Sequence, residues 1–138
     1  MKEGFTILIA DRNCHVRGFL KREIEADGYR VLLARNGHDI FRYLYGHEDI
    51  DLLILDLDQP DISVSGLLQK LENRMPPIPV VIHSFLSDYV QYPQMMDMNA
   101  LVEKNGSSID LIKKVITKIL HSPAQNSSGP DVYDREDQ

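Results

Sequence analysis

Short apolar runs alternate with helix-patterned segments along most of this chain, and few arrangements satisfy that alternation. Phe5 to Ala10 is a nearly continuous apolar run, the pattern of a strand buried on both faces of a parallel sheet. Val16, Phe19, Leu20 and Ile24 then recur at helical spacing, with Arg17, Lys21, Arg22, Glu23 and Glu25 opposite and Gly28 placed to stop the helix. Tyr29 to Ala34 reads as a second strand. Asn36 with Asp39 opens a second helix carried by Ile40, Phe41 and Leu44. Ile50 to Leu57 is the clearest strand, followed by a helix on Leu67, Leu68 and Leu71 that prolines 76, 77 and 79 bring to an end. Val80 to Ile82 makes a fourth strand. Between Phe85 and Met98 a helix is expected to be short or broken, because Pro93 removes a hydrogen bond there. Ala100 to Val102 reads as a fifth strand, and Ser107 with Asp110 as a capping box before a stripe of Ile109, Ile112, Ile116 and Ile119. Five strand–helix units predict an α/β fold: a doubly wound, five-stranded open parallel sheet with helices on both faces.

Composition limits what such a domain does. The formal charge of −6 argues against a large nucleic-acid footprint, which needs a basic face. No apolar run is long enough for a membrane span, and Phe5 to Ala10 is too soon interrupted by Asp11 and Arg12 to be a signal peptide. The single cysteine, Cys14, has no internal disulfide partner, which fits a reducing cytoplasm. Residues 122–138 hold Asp131, Asp134, Glu136 and Asp137 against Arg135 and almost nothing to bury. They are expected to form a disordered tail or the start of a linker, leaving 1–121 as the folded domain. Those 17 residues are too few to hold a DNA-binding or catalytic domain.

Open parallel sheets bind ligands beyond the carboxyl ends of their strands, near the switch in strand order. Asp11, Asp56 with Asp58, Ser84 and Lys104 fall at four such ends. Any single one is ordinary strand-end polarity. Together, two or three carboxylates suit a hard cation such as magnesium. A lysine and a hydroxyl suit a phosphoryl group, and one carboxylate remains as a nucleophile able to form an acyl phosphate.

ILIADRN (Ile7 to Asn13), LLILDLDQPD (Leu52 to Asp61), PVVIHS (Pro79 to Ser84) and LVEK (Leu101 to Lys104) resemble the receiver domain of two-component response regulators, which has a flavodoxin-like, CheY-like fold. The resemblance covers residues 5 to 120. It implies that Asp56 accepts a phosphoryl group from a histidine kinase or phosphotransfer protein. Ser84 would reorient onto the phosphate and Lys104 would pair with it. It also implies magnesium held by Asp11, Asp56 and the backbone carbonyl of Asp58, and a downstream protein partner meeting the fourth helix, fifth strand and fifth helix. No enzymatic turnover, nucleic acid or membrane is implied, and a homodimer is compatible with the family.

Several positions depart from that pattern. Arg12 stands where the family carries a second acid, and a guanidinium has no lone pair to offer a cation. It has three readings: it neutralises Asp56, it holds a phosphoryl group bidentately, or it pairs at the surface with Asp58 or Asp61. Asp58 in turn either supplies the missing ligand or is one more solvated acid. Ser63, Val64 and a displaced Gly66 replace the usual Asp-Gly, Asn105 follows Lys104 in place of proline, and Leu101 stands where many receivers have a switching aromatic residue. These departures keep a second function open, a pseudo-receiver that binds partners without phosphorylation. A phosphatase using Asp56 and Asp58 lacks a cap and further ligands. A flavin protein lacks a phosphate cradle between Arg12 and His15. Of the five histidines, His83 alone adjoins the site, and it reads as a packed strand-end residue. Met95, Met96 and Met98 read as pliable core filling or an adaptable partner surface.

Overall fold

The computed structural model describes residues 4–90 and 100–121. The expected tail at 122–138, Pro93 and the methionine cluster lie outside them. Elements run in the predicted order: β1 (Thr6–Ala10), α1 (Cys14–Ala26), β2 (Arg30–Ala34), α2 (Gly37–Leu44), β3 (Leu52–Leu55), α3 (Val64–Asn73), β4 (Val80–Ser84), α4 (Leu86–Tyr89), β5 (Ala100–Glu103) and α5 (Ser108–His121). All five strands are parallel, in the order β2-β1-β3-β4-β5. The chain leaves β1 in one direction to β2 and returns past it to β3, so the switch in order lies between β1 and β3.

Alternation along the strands divides the core in two. Ile7 and Ile9 of β1, with Leu52 and Ile54 of β3, face Leu20 and Ile24 of α1 and Ile112 and Ile116 of α5. Leu8, Leu53 and Leu55 face the opposite way, onto Ile40 and Leu44 of α2 and Leu67, Leu68 and Leu71 of α3. Both faces of β1 and β3 are therefore dry, which is why these segments read as continuous apolar runs.

Three details differ from the sequence reading, two of them because a local polar group takes a backbone partner. β3 is shorter than Ile50 to Leu57: the Leu57 N–H donates to Ser84 Oγ (2.7 Å) instead of to a neighbouring strand. β2 starts after Tyr29, which follows Gly28 in its left-handed turn at φ +96°. The expected Ser107–Asp110 box is replaced by a turn on Asn105, whose Oδ1 accepts from Ser107 N (2.9 Å) and Oγ (3.1 Å), while its carbonyl accepts from Ser108 N. Asn36 does cap α2, accepting from Asp39 N at 2.8 Å. Asp39, however, reaches back to Arg35 N (3.0 Å), one residue before the cap.

Candidate functional site

Register brings the predicted residues together. Ala10 lies beside Leu55, and the next residue of β3's chain is tied in by Asp56 N donating to Ala10 O (3.0 Å). Asp11 N is held by Ala34 O (3.1 Å) and Lys104 N by Ser84 O (2.9 Å). Asp11, Asp56, Ser84 and Lys104 thus converge at the carboxyl edge of four adjacent strands, at the switch point where such sheets receive ligands.

Lys104 is the hub. Its ammonium lies 2.8 Å from Asp11 Oδ2 and 2.5 Å from Asp56 Oδ2. Asp11 is only 2% exposed and Asp56 6%. The other oxygen of Asp56 accepts from Ser84 Oγ (2.9 Å) and Asp58 N (3.0 Å). Ser84 is fully buried, and its hydroxyl already faces the carboxylate. Phe85 roofs the site, with the Lys104 ammonium 5.2 Å from its ring centre.

Titration follows this wiring. Burial pushes the Asp11 carboxyl up, and the Lys104 ammonium and the Asn13 N–H only partly offset it. Burial would raise Asp56 too, but Lys104, the Asp58 N–H and the Ser84 hydroxyl together hold it below the ordinary carboxylate range. Burial works against the Lys104 charge, yet its two carboxylates outweigh that and raise its pKa. Of the two carboxyls, Asp56 is therefore the one held ionised. His83, one residue before Ser84, is buried and depressed to about 4, first by desolvation and then by the Lys104 charge. Its Nε2 lies 3.0 Å from Ser108 Oγ, tying β4 to the start of α5.

Asp58 and Arg12 sit apart from the hub. Their side chains are about half exposed and pair with each other, Nη1 to Oδ2, at 3.1 Å. Among the three readings of Arg12, the surface pair is the arrangement found, with Asp58 as the partner. Asp61 is engaged elsewhere, accepting from Gly37 N (3.0 Å) and His38 N (2.9 Å) at the start of α2. Among the described residues, no three His, Cys, Asp or Glu side chains gather as a metal site. The carboxylate of Asp58 does not join those of Asp11 and Asp56.

Two carboxylates nevertheless share a single ammonium, leaving a buried formal excess of negative charge. Magnesium commonly binds through one or two carboxylates plus phosphate oxygens and water. The hard oxygen pair of Asp11 and Asp56 fits that demand.

Other supports escaped the sequence reading. Arg17 Nη1 donates to the carbonyls of Asp11 (2.8 Å) and Arg12 (3.1 Å). Asn13 N donates to Asp11 Oδ1 (2.8 Å), while Asn13 Oδ1 caps α1 by accepting from His15 N and Val16 N. Gln59 Nε2 donates to Asp56 O (3.0 Å). Asn13, just before the first helix, carried a legible cap signal. Arg17 and Gln59 carried none, because their partners are backbone carbonyls of a loop.

Comparisons with known proteins agree with this fold. The family model described as response regulator receiver domain matches residues 7–116. The DNA-binding transcriptional regulator NtrC of Rhizobium meliloti is 31% identical over 81 residues, 59% of this chain and 16% of that protein. Response regulator RR06 of Streptococcus pneumoniae is 30% identical over 111 residues, 79% of this chain and 50% of that one. The chain therefore spans half or less of the length of these curated relatives. Among solved structures, response regulator protein TrrA of Thermotoga maritima, in complex with Mg(2+)-BeF, superposes with a TM-score of 0.72 at 25% identity, covering 84% of this chain and 99% of that one.

Proposed function

We propose that this chain, which belongs to the response regulator receiver domain family, is a working phosphoacceptor with Asp56 as the accepting residue. Receiver domains are signalling modules of two-component systems that interact with histidine kinases and downstream effectors, and phosphorylation and magnesium binding are characteristic of them. The observation that supports the finer reading is the wiring of Asp56: an ionised, buried carboxylate between the Lys104 ammonium and the Ser84 hydroxyl.

In the transfer step an oxygen of Asp56 attacks the phosphorus of a phosphohistidine. The P–N bond breaks as the P–O bond forms, and the imidazole nitrogen leaves with the electron pair. Lys104 stays against the phosphoryl oxygens and Asp11, and Ser84 Oγ lies within hydrogen-bond reach of the new group. Magnesium, when held by Asp11 and Asp56, supplies charge neutralisation at the transferring oxygens. Phosphorylation turns the singly charged carboxylate into a dianionic acyl phosphate, adding about one negative charge at a buried site. Lys104 N is bonded to Ser84 O, so a shift there passes into β4, β5 and the α4–β5–α5 face, where partner affinity would change.

A pseudo-receiver is the second reading. It rests on Arg12 in place of an acid and on Leu101 in place of a switching aromatic ring. Intact-mass spectrometry after incubation with acetyl phosphate, with and without magnesium, separates the two. One phosphoryl adduct on the wild type and none on Asp56→Asn supports the phosphoacceptor. No adduct under either condition overturns it and leaves the interaction module.

A further inference from the structure

The Arg12–Asp58 pair sits at the mouth of the site, and its construction is uneven. The backbone beneath Arg12 is fixed: Arg17 holds the carbonyls of Asp11 and Arg12, and Asn13 N is bonded to Asp11. The side chains above are not: Arg12 is 51% exposed and Asp58 54%. An exposed ion pair of this sort contributes little, so it yields to a better anion. Such an anion would appear close by. Asp58 N lies 3.0 Å from Asp56 Oδ1, so the residue that holds the guanidinium also touches the phosphoacceptor carboxylate.

We propose that Arg12 is a phosphoryl ligand held in reserve by Asp58. The inference rests on the phosphoacceptor reading of Asp56. When Asp56 carries a phosphoryl group, the guanidinium leaves Asp58 and takes two phosphoryl oxygens. A planar fork matches a dianion better than a single exposed carboxylate. Arg12 then supplies, from the protein, part of the positive charge that a second acid would otherwise bring in as bound metal. The consequence is a site whose affinity for a phosphoryl group depends less on magnesium. Asp58 acts as the competitor that keeps the arginine away until the phosphoryl group arrives.

Beryllofluoride, which forms a tetrahedral phosphoryl mimic on carboxylates, tests this without turnover. Its binding is read by fluorine NMR and thermal shift on the full chain, across a magnesium titration that begins in chelator. In chelator the wild type should bind measurably. Arg12→Ala should weaken that binding roughly tenfold, as expected for losing one charge-assisted pair. Arg12→Lys should restore part of it, and Asp58→Asn should strengthen it by freeing the arginine. Equal magnesium dependence in wild type and Arg12→Ala overturns the proposal while leaving the phosphoacceptor reading intact. So does tighter magnesium binding in Arg12→Ala with no loss in chelator, which reduces Arg12 to simple repulsion. No beryllofluoride binding at any magnesium concentration overturns both readings together.

Discussion

Replacing Lys104 with methionine removes the one cation shared by two buried carboxylates while keeping an unbranched stem of similar length in place. The structure sets both the size of the effect and its pH dependence. Breaking a buried pair by removing one partner costs about 3–5 kcal/mol, because an uncompensated charge remains. A ceiling exists, since the variant can protonate one carboxyl instead. From an ordinary value of 3.8, protonation at pH 7 costs about 4 kcal/mol at about 1.4 kcal/mol per unit. Asp11, already raised by burial, is the group that takes the proton. The expected loss is thus about 3–4 kcal/mol at pH 7. In the variant the folded carboxyl pKa lies above its unfolded value, so the penalty is full at high pH and fades as pH falls through the folded value. It should shrink from pH 7 to pH 5, at a slope of at most about 1.4 kcal/mol per unit. Urea unfolding of wild type and Lys104→Met at both pH values measures this directly. A loss below about 1 kcal/mol, or one that is equal at the two pH values, would refute the buried-charge account.

Gly37→Ala should cost about 1–3 kcal/mol, since a Cβ there would land within the Ile62 side chain; Ile62→Ala in the same chain should recover much of it in urea titrations. Asp61→Ala should cost about 1–2 kcal/mol and speed amide exchange at Gly37 and His38, whose N–H groups lose their acceptor. His83 is depressed from 6.5 to about 4, so its folded form resists protonation. Its contribution is intact above about pH 6.5 and drains away as pH falls toward about 4, a total near 3 kcal/mol that His83→Gln should abolish from the stability–pH curve.

The fold was legible because a parallel sheet covered on both faces demands continuous apolar strands. Ile7 to Ala10 and Leu52 to Leu55 carry that demand in consecutive letters. The hub was legible for a related reason: strand ends are fixed by register, so Asp11, Asp56, Ser84 and Lys104 had to share one edge. Legibility fails where a side chain chooses among partners across loops. Ser107 and Asp110 matched a capping pattern, yet Asn105 Oδ1 took the Ser107 N–H that the box needed. Leu57 read as strand, yet its N–H belongs to Ser84.

Arg12 illustrates the same limit at the site itself. Its sequence neighbours offered Asp56, Asp58 and Asp61 as partners without ranking them. In the folded chain two of the three are already committed. Asp56 is held by Lys104, Ser84 and the Asp58 N–H. Asp61 bonds two unsatisfied N–H groups at the start of α2, which a helix end requires from some acceptor. Asp58 is the acid left with a free carboxylate at the mouth, and Arg12 takes it. The pairing follows from what the other acids are needed for, an account of the whole fold that no local pattern contains. By the same logic, a new anion on Asp56 would change the ranking and give the arginine somewhere better to go.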